Sequence, residues 1–306
     1  MGAGGQGVGR EGGLSDAQRT VTGLYCLVAV AISFWTPGGA YVGRFFAERD
    51  WYAGTLAWHF YHDAIVIAFL IGAIIIGRPS FRKIVGRSPR LGDTTPIALA
   101  VVITFLASGA FITLTMVTLS YVLPSFVTWW LDRSYPLVFY VASNGSIPIL
   151  ANIMRLVELI AITPTLEETL FRGYLLHAWV RKWGLWNGVL LSSAVFGAIH
   201  PDTVPAMLTG AGFAFIYLRT QSLWAPILAH GVYNAIAAAL NVWDLADNKW
   251  EYAVPTVADL RSTWWLGVLQ LVVVVVLVHR IMRRGALGPL RLPGGATSPG
   301  GQSAAP

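Results

Sequence analysis

The chain has 306 residues, of which 55% are apolar and only 12% are charged. Soluble domains carry roughly 25% charged residues, so this composition excludes an ordinary soluble enzyme. The single cysteine, Cys26, excludes a disulfide framework and a cysteine-based metal site. Long continuous apolar runs recur along the chain and predict an all-α polytopic membrane protein, since the strands of a membrane barrel would alternate instead. The net charge of +6 is assigned to loops that orient the helices rather than to nucleic-acid binding.

The two ends of the chain are predicted to be disordered tails. Residues 1–19 and 286–306 are rich in Gly, Pro, Ser and Ala. Residues 20–35 have the apolar character of a signal peptide, but no A-x-A-like site follows them, so we expect an uncleaved first helix. The C-terminus has no cysteine, so the protein is not expected to be a prenylation target itself.

Eight membrane spans are predicted between these tails. They form an N-terminal unit of three helices and an outer loop (20–144), a core (145–242), and an outer loop with a last helix (243–285). The predicted spans cover residues 20–36, 53–77, 95–119, 147–180, 184–200, 205–218, 221–241 and 264–283. Pro164 is expected to break or kink the fourth span. The fifth and sixth spans are separated only by the sequence PDTV, so their turn is expected to lie partly within protein.

The distribution of basic residues predicts the orientation. With the N-terminus inside, 14 of the 21 Lys and Arg residues fall in inside segments and five in outside segments. The positive-inside rule therefore favours two cytoplasmic termini in a multi-pass protein of the plasma membrane. The Gly, Ala and Arg bias of the tails is typical of a bacterium with a GC-rich genome. His177, beside a basic cluster, is predicted to be solvated at the inner interface.

The fourth span contains the stretch TPTLEETLFRGYLL, which carries charges where an ionised group costs several kcal/mol. Glu168 and Arg172 are spaced i, i+4, so they share a helix face and can pair. Glu167 is rotated by about 100° from Glu168 around the helix, so the ion pair does not explain why a second glutamate is present.

Three further polar residues are predicted to reach the level of Glu167. His200 closes the fifth span, and His230 and Asn234 lie one turn apart in the seventh. Counted from the nearest inside basic residue at about 1.5 Å per residue, Glu167 lies roughly 20 Å deep, His200 roughly 25 Å, and His230 with Asn234 roughly 15–25 Å. Polar groups from three helices are therefore expected to share one site, although a single buried histidine is more often structural.

Other intramembrane polar residues are given structural interpretations. The sequence WHFYHD places His59, His62 and Asp63 in the second span, where His59 and His62 could bind a metal at i, i+3. They are predicted to lie near the outer interface, where such residues are common, and to have no role in a site. Arg155 and Glu158, also i, i+3, are expected to pair.

The predicted group of one glutamate, two histidines and an asparagine suits attack by water on an amide. A desolvated glutamate can act as a general base, and a neighbouring histidine can hold the same water. A second histidine and an asparagine can donate hydrogen bonds to the developing oxyanion. The alternative is a zinc site with Glu167, His200 and His230 as candidate ligands. HExxH is absent, and the residues alone do not separate a metal-bound water from a glutamate-activated one.

Three motifs resemble those of a known family. They are EETLFRG at 167–173, FGAIH at 196–200 and HGVYN at 230–234. In this order they are similar to the EExxxR, FxxxH and HxxxN motifs of the CPBP family, also called the Abi or CAAX-protease-like family and related to the Rce1-type prenyl protease. The resemblance covers roughly residues 145–242.

The resemblance implies an α-helical intramembrane protease with a cavity open toward the cytoplasm. It implies that Glu167 and His200 activate water, that His230 and Asn234 stabilise the oxyanion, and that Glu168 and Arg172 brace the site. Members are often classed as metalloproteases, and a metal-free glutamate mechanism has also been argued. The implied partners are membrane lipid and a peptide or lipidated-peptide substrate, with no nucleic acid.

Two other functions compete with a protease. One is a non-catalytic scaffold or bacteriocin-immunity protein that uses the same cavity for binding. The other is a proton-coupled transporter that uses Glu167 and the histidines as a relay. The intact motifs count against the first, and the lack of repeated halves counts against the second.

Overall fold

The computed structural model describes residues 51–77, 81–134, 138–142, 144–200, 202–251, 253–283 and 290–293. The predicted first span (20–36), the N-terminal tail and most of the C-terminal tail lie outside these residues. Within them the chain is helical and has no strand, which agrees with the predicted all-α class. The helices are α1 (Trp51–Gly77), α2 (Phe81–Val85), α3 (Thr94–Val122), α4 (Pro124–Ser134), α5 (Ile149–Trp183), α6 (Leu185–Ala198), α7 (Thr203–Thr220), α8 (Trp224–Asp247), α9 (Val257–Ser262) and α10 (Trp264–Arg283).

Five of the described helices are long and apolar enough to cross a membrane: α1, α3, α5, α8 and α10. The protein is therefore an all-α polytopic membrane protein. Neither of the predicted separate spans at 184–200 and 205–218 is among these five helices. Helix α6 has 14 residues and rises about 21 Å, which is shorter than a hydrocarbon core of about 30 Å.

Helices α6 and α7 instead form a tight hairpin. A Cβ added at Gly197 in α6 would lie 2.4 Å from the carbonyl oxygen of Thr203 at the start of α7, so only glycine permits this approach. His200 lies in the turn between the two helices. The short PDTV linker thus marks the tip of a hairpin, and the tip carries one of the predicted site residues.

Helix α5 is one continuous helix that contains two π-helical segments. α-Helical turns at Ile149–Val157, Thr163–Glu168 and His177–Trp183 alternate with π-helix at Glu158–Ile162 and Thr169–Leu176. Pro164 does not break the helix. It lies in the first α-helical turn after a π segment, where its missing N–H removes no α-helical hydrogen bond. The pair Glu167 and Glu168 therefore lies on a single α-helical stretch between two widened ones.

The loops after α2, α7 and α10 meet at one end of the molecule. Leu223 N–H donates to the Val85 carbonyl at 2.9 Å, and Arg87 N–H donates to the Gln221 carbonyl at 3.1 Å. The Arg291 N–H donates to the Leu218 carbonyl at 3.2 Å, so residues 290–293 of the predicted C-terminal tail pack onto the bundle. Segments predicted to face the cytoplasm are thus neighbours in space, and we call this the basic end.

The core beside the basic end is built on α5 and α7. Buried side chains there include Phe171, Leu175 and Trp179 of α5 and Tyr217 of α7. His177 is buried among them and not solvated as predicted, because its Nε2 lies 2.7 Å from the Tyr217 hydroxyl. The hydroxyl donates its own hydrogen to the Ile84 carbonyl at 2.6 Å, so His177 is the donor to Tyr217 and has a structural role.

Candidate active site

The predicted pair of Glu168 and Arg172 is confirmed. Arg172 Nε lies 3.0 Å from Glu168 Oε2, and both side chains are fully buried. The guanidinium also donates through Nη2 to the Gly210 carbonyl of α7 at 2.7 Å and lies over the Phe196 ring at 4.7 Å. Arg172 therefore connects α5 to the α6–α7 hairpin and neutralises Glu168.

His230 of α8 joins the same pair, which was not predicted. Its Nδ1 lies 3.0 Å from Glu168 Oε1, and its ring stacks on Phe213 at 4.9 Å. Glu168 thus accepts hydrogen bonds from both Arg172 and His230, which come from two different helices. Glu168 thereby connects three helices. It lies on α5, contacts His230 of α8, and pairs with Arg172, which donates to the Gly210 carbonyl of α7.

Glu167 faces His200 at the hairpin tip. Glu167 Oε2 and His200 Nε2 are 4.0 Å apart, Glu167 is buried, and His200 is 28% exposed. His200 Nδ1 lies 2.7 Å from the Phe196 carbonyl, and a carbonyl can only accept, so Nδ1 carries a hydrogen. In a neutral histidine, Nε2 is then an acceptor turned toward the Glu167 carboxylate.

Asn234 lies one turn beyond His230, and its amide is engaged with α5. Its Nδ2 donates to the Leu159 carbonyl at 2.9 Å, in the first π segment. A Cβ added at Gly231 would lie 2.6 Å from the Ile160 carbonyl oxygen of the same segment. The HGVYN motif therefore positions α8 directly on the widened turn of α5.

Replacing Gly231 with alanine is expected to destabilise the protein by about 1–3 kcal/mol, because the new methyl group meets a backbone carbonyl that cannot rotate away. Thermal unfolding in detergent would measure this. Gly92→Ala is the control, since a Cβ there meets nothing within 4 Å. An unfolding temperature equal to that of the wild type would contradict the close approach of α8 to α5.

The comparison with known proteins concerns this same part of the chain. Residues 149–236 match the family model "Type II CAAX prenyl endopeptidase Rce1-like". The resemblance predicted from the three motifs is thereby confirmed, and every predicted site residue lies inside this Rce1-like segment. It spans α5, α6, α7 and half of α8.

A curated relative supports the same family. The "Putative membrane peptidase YdiL" of Bacillus subtilis is 34% identical over 84 residues. These residues are 26% of this chain and 34% of that protein, so the chain matches about a third of the relative's length. No solved structure matches the chain. At the level of family, the Rce1-like segment resembles a CAAX-protease-like membrane peptidase.

The candidate zinc ligands Glu167, His200 and His230 are not grouped as a metal site. Among the described residues, no group of three or more His, Cys, Asp or Glu side chains is arranged to hold a metal ion. Glu167 and His200 approach each other, and the contact of His230 Nδ1 with Glu168 leaves Nε2 as the ring nitrogen of His230 that could ligate a metal. Because the three side chains are not grouped around one point, no metal is assigned to them.

Helix α1, which lies outside the Rce1-like segment, brings a second polar cluster to α5. His59 Nδ1 lies 3.6 Å from Glu158 Oε1, so this histidine packs against a buried carboxylate of α5. The Thr163 hydroxyl donates to Glu158 at 2.7 Å and lies 3.5 Å from Asp63 Oδ1. The predicted pairing of Arg155 with Glu158 is confirmed.

Sequence reasoning missed this cluster although a signal was present. His59 and Asp63 are spaced i, i+4, so both fall on one face of α1. Asp63 is the twelfth residue after Trp51, which places it near the middle of the 27-residue helix and not at an end. Thr163 and Glu167 are likewise spaced i, i+4 on α5, so α1 lies along the face of α5 that carries Glu167.

Replacing Asp63 with asparagine is expected to raise the free energy of unfolding by about 1 kcal/mol, or roughly 2 °C in unfolding temperature. The Oδ2 atom of this buried carboxylate has no hydrogen-bond partner among the described residues, and the carboxylate lies close to that of Glu158. Asparagine keeps the acceptor near Thr163 and removes the charge. Thermal unfolding would be compared with Asp132→Asn, an exposed residue of α4 that should change nothing. A lower unfolding temperature would mean that the Asp63 charge is compensated in the folded protein.

Proposed function

We propose that this protein is an intramembrane endopeptidase that hydrolyses a peptide bond with a water activated by Glu167 and His200. The observation that carries the proposal is the 4.0 Å separation between Glu167 Oε2 and His200 Nε2 at the tip of the hairpin. Two acceptors at this separation suit one bridging water, which can lie within hydrogen-bond distance of both. The Rce1-like segment supports the same class of reaction.

The proposed nucleophile is oriented by its two acceptors. A water that donates one hydrogen to the Glu167 carboxylate and the other to His200 Nε2 turns its lone pairs away from both. It can then attack the carbonyl carbon of a peptide while Glu167 takes the proton. The same proton can pass to the leaving nitrogen when the C–N bond breaks, so no other reactant is required.

His230 and Asn234 are proposed to stabilise the oxyanion. The Nδ1 of His230 is directed to Glu168, so His230 donates to the oxyanion from Nε2 when its ring carries both hydrogens. One amide hydrogen of Asn234 is used by the Leu159 carbonyl, and the other can serve the substrate. Preorganised donors of this kind usually contribute the largest single part of the rate enhancement.

Glu168 and Arg172 are proposed as positioning residues. They do not face the water, but Glu168 fixes the His230 ring and Arg172 fixes the hairpin through Gly210. Small displacements of reacting groups cost large factors in rate, so this network would set the distance between Glu167 and His200.

The proposed substrate is a peptide near the membrane surface, and a lipidated C-terminal peptide is the first class to test because the matching family is described as a CAAX prenyl endopeptidase. The proposed location is the plasma membrane, with both termini and the basic end in the cytoplasm. The basic end carries Arg82, Arg87 and Arg219 among the described residues.

The test is cleavage of a quenched fluorescent peptide library in detergent, half of it prenylated at a CaaX-type cysteine. The wild type and Glu167→Gln would be run side by side. Turnover by the wild type that is lost in the variant supports the protease, and the cleaved half of the library identifies the need for a prenyl group. Equal signals from both proteins would reject Glu167 as the base, and no turnover by a folded wild type would favour the scaffold or immunity function.

A further inference from the structure

A cavity of about 490 Å³ lies between α3, α7 and α10, outside the candidate active site. Its described lining is apolar apart from two threonines and one arginine, and it includes Leu99, Ala100, Ala211, Phe215 and Val278. Cavities of about 300–1,000 Å³ are the usual size for small-molecule ligands. Small residues border this space: Ala100, Ala211 and Gly212 line it, and a Cβ added at Gly212 would lie 2.1 Å from the Thr104 side chain.

The cavity extends from the basic end into the bundle. On α3 it runs from Thr95 in the first turn to Thr104, which corresponds to about 14 Å of helix. On α10 it ends at Met282, one residue before Arg283 at the end of the helix. This depth matches the upper part of an acyl chain that enters from one membrane surface.

The mouth of the cavity is positively charged. Arg219 is the only charged residue in the described lining, and it makes no ion pair or side-chain hydrogen bond with another described residue. Arg283 follows the lining residue Met282, and the backbone of Arg291 is hydrogen-bonded to Leu218 beside Arg219. Asp93, which immediately precedes α3, is paired with Arg87 at 2.7 Å and not with Arg219.

We propose that this cavity binds an anionic phospholipid from the leaflet at the basic end, with one acyl chain between α3, α7 and α10 and the phosphate at Arg219. An apolar cavity between membrane helices can hold the acyl chain of such a lipid, and an arginine at its mouth can bind the phosphate. A zwitterionic lipid would fill the cavity equally well, but its headgroup would interact less favourably with the arginine. The proposal is independent of the protease reaction.

The cavity and the candidate active site use adjacent residues of α7. Ala211 and Gly212 line the cavity, and the carbonyl of the preceding residue, Gly210, accepts the hydrogen bond from Arg172. A lipid in the cavity would therefore press on the helix that holds Arg172 in place. This contact gives the lipid a physical connection to the site without entering it.

The test is native mass spectrometry of the detergent-purified full chain, titrated with phosphatidylglycerol or phosphatidylcholine of the same acyl chains. The wild type is expected to bind phosphatidylglycerol about fivefold more tightly than phosphatidylcholine, the factor that one arginine near a membrane surface supplies. Arg219→Gln should remove this preference. Arg82→Gln, which deletes an exposed arginine at the same end but outside the cavity, should keep it.

A second pair of variants tests the apolar part of the cavity. Ala100→Leu and Ala211→Leu each fill the cavity from a different helix and should weaken binding of both lipids. Equal binding of the two lipids by the wild type would overturn the proposal, as would an equal loss in Arg82→Gln and Arg219→Gln. Unchanged lipid binding in the filled variants would also overturn it and would favour another occupant, such as residues 20–36 of this chain. If neither filled variant folds, the comparison of Arg219→Gln with Arg82→Gln decides alone.

Discussion

Glu167→Gln is expected to lower the turnover number by at least about 100-fold, because a general base contributes roughly 10²–10⁴ to the rate and an amide cannot take the proton. Glutamine has nearly the same shape as glutamate and carries no charge, so the buried position should tolerate it. Initial rates on the peptide cleaved by the wild type would measure the effect, and the unfolding temperature would be recorded on the same preparation.

The matched control is Glu251→Gln, which makes the same change at an exposed residue outside the candidate site and should leave the rate unchanged. A Glu167→Gln protein that fails to assemble would give Glu167 a structural role. A correctly folded variant that keeps its rate would remove Glu167 from the proposed mechanism and leave His200 as the group to examine.

Arg172→Ala is expected to lose about 3–5 kcal/mol of the free energy of unfolding, more than any other single change considered above. The substitution leaves the fully buried Glu168 with His230 as its remaining partner and removes the donor to the Gly210 carbonyl. It also opens a space among Phe171, Phe196 and Phe213, over whose rings the guanidinium lies. The measurement is thermal or denaturant-induced unfolding in detergent.

Adding Glu168→Gln to Arg172→Ala separates the charge from the packing. If the unpaired carboxylate causes most of the loss, the double variant should recover a large part of the stability, because glutamine still accepts a hydrogen bond from His230. Recovery of nothing would assign the loss to the space left by the guanidinium. Arg82→Ala, at an exposed position, provides the baseline for removing one positive charge.

The parts of the site that were predictable from the sequence depend on local geometry. Glu168 with Arg172 and Arg155 with Glu158 pair within one helix, and their spacing already places them on one face. The five long spans were also predictable, because their apolar runs are long enough to cross a bilayer. The three motifs indicated the family, which residues 149–236 match.

The remaining contacts depend on how helices pack, and no local pattern encodes that. His230 and Glu168 are 62 residues apart, and their hydrogen bond depends on the approach of α8 to α5 at Gly231. The π segments of α5 have no recognised local signature, and Pro164 in fact pointed to a break. The α1 cluster is not predictable in the same way, because only the packing of α1 on α5 brings His59 to Glu158 and Asp63 to Thr163.

Because α6 is short, the thickness of the surrounding membrane affects the hydration of the candidate site at the tip of the α6–α7 hairpin. A helix that rises about 21 Å, such as α6, ends about 9 Å short of the far boundary when it starts at one boundary of an ordinary hydrocarbon core. Lipid beside so short an element accommodates the mismatch by thinning, at a modest energetic cost for each ångström. The distance between His200 and the opposite water phase would therefore depend on both the protein and the chain length of the surrounding lipids. The same sequence would then be hydrated differently in membranes that differ in acyl-chain length.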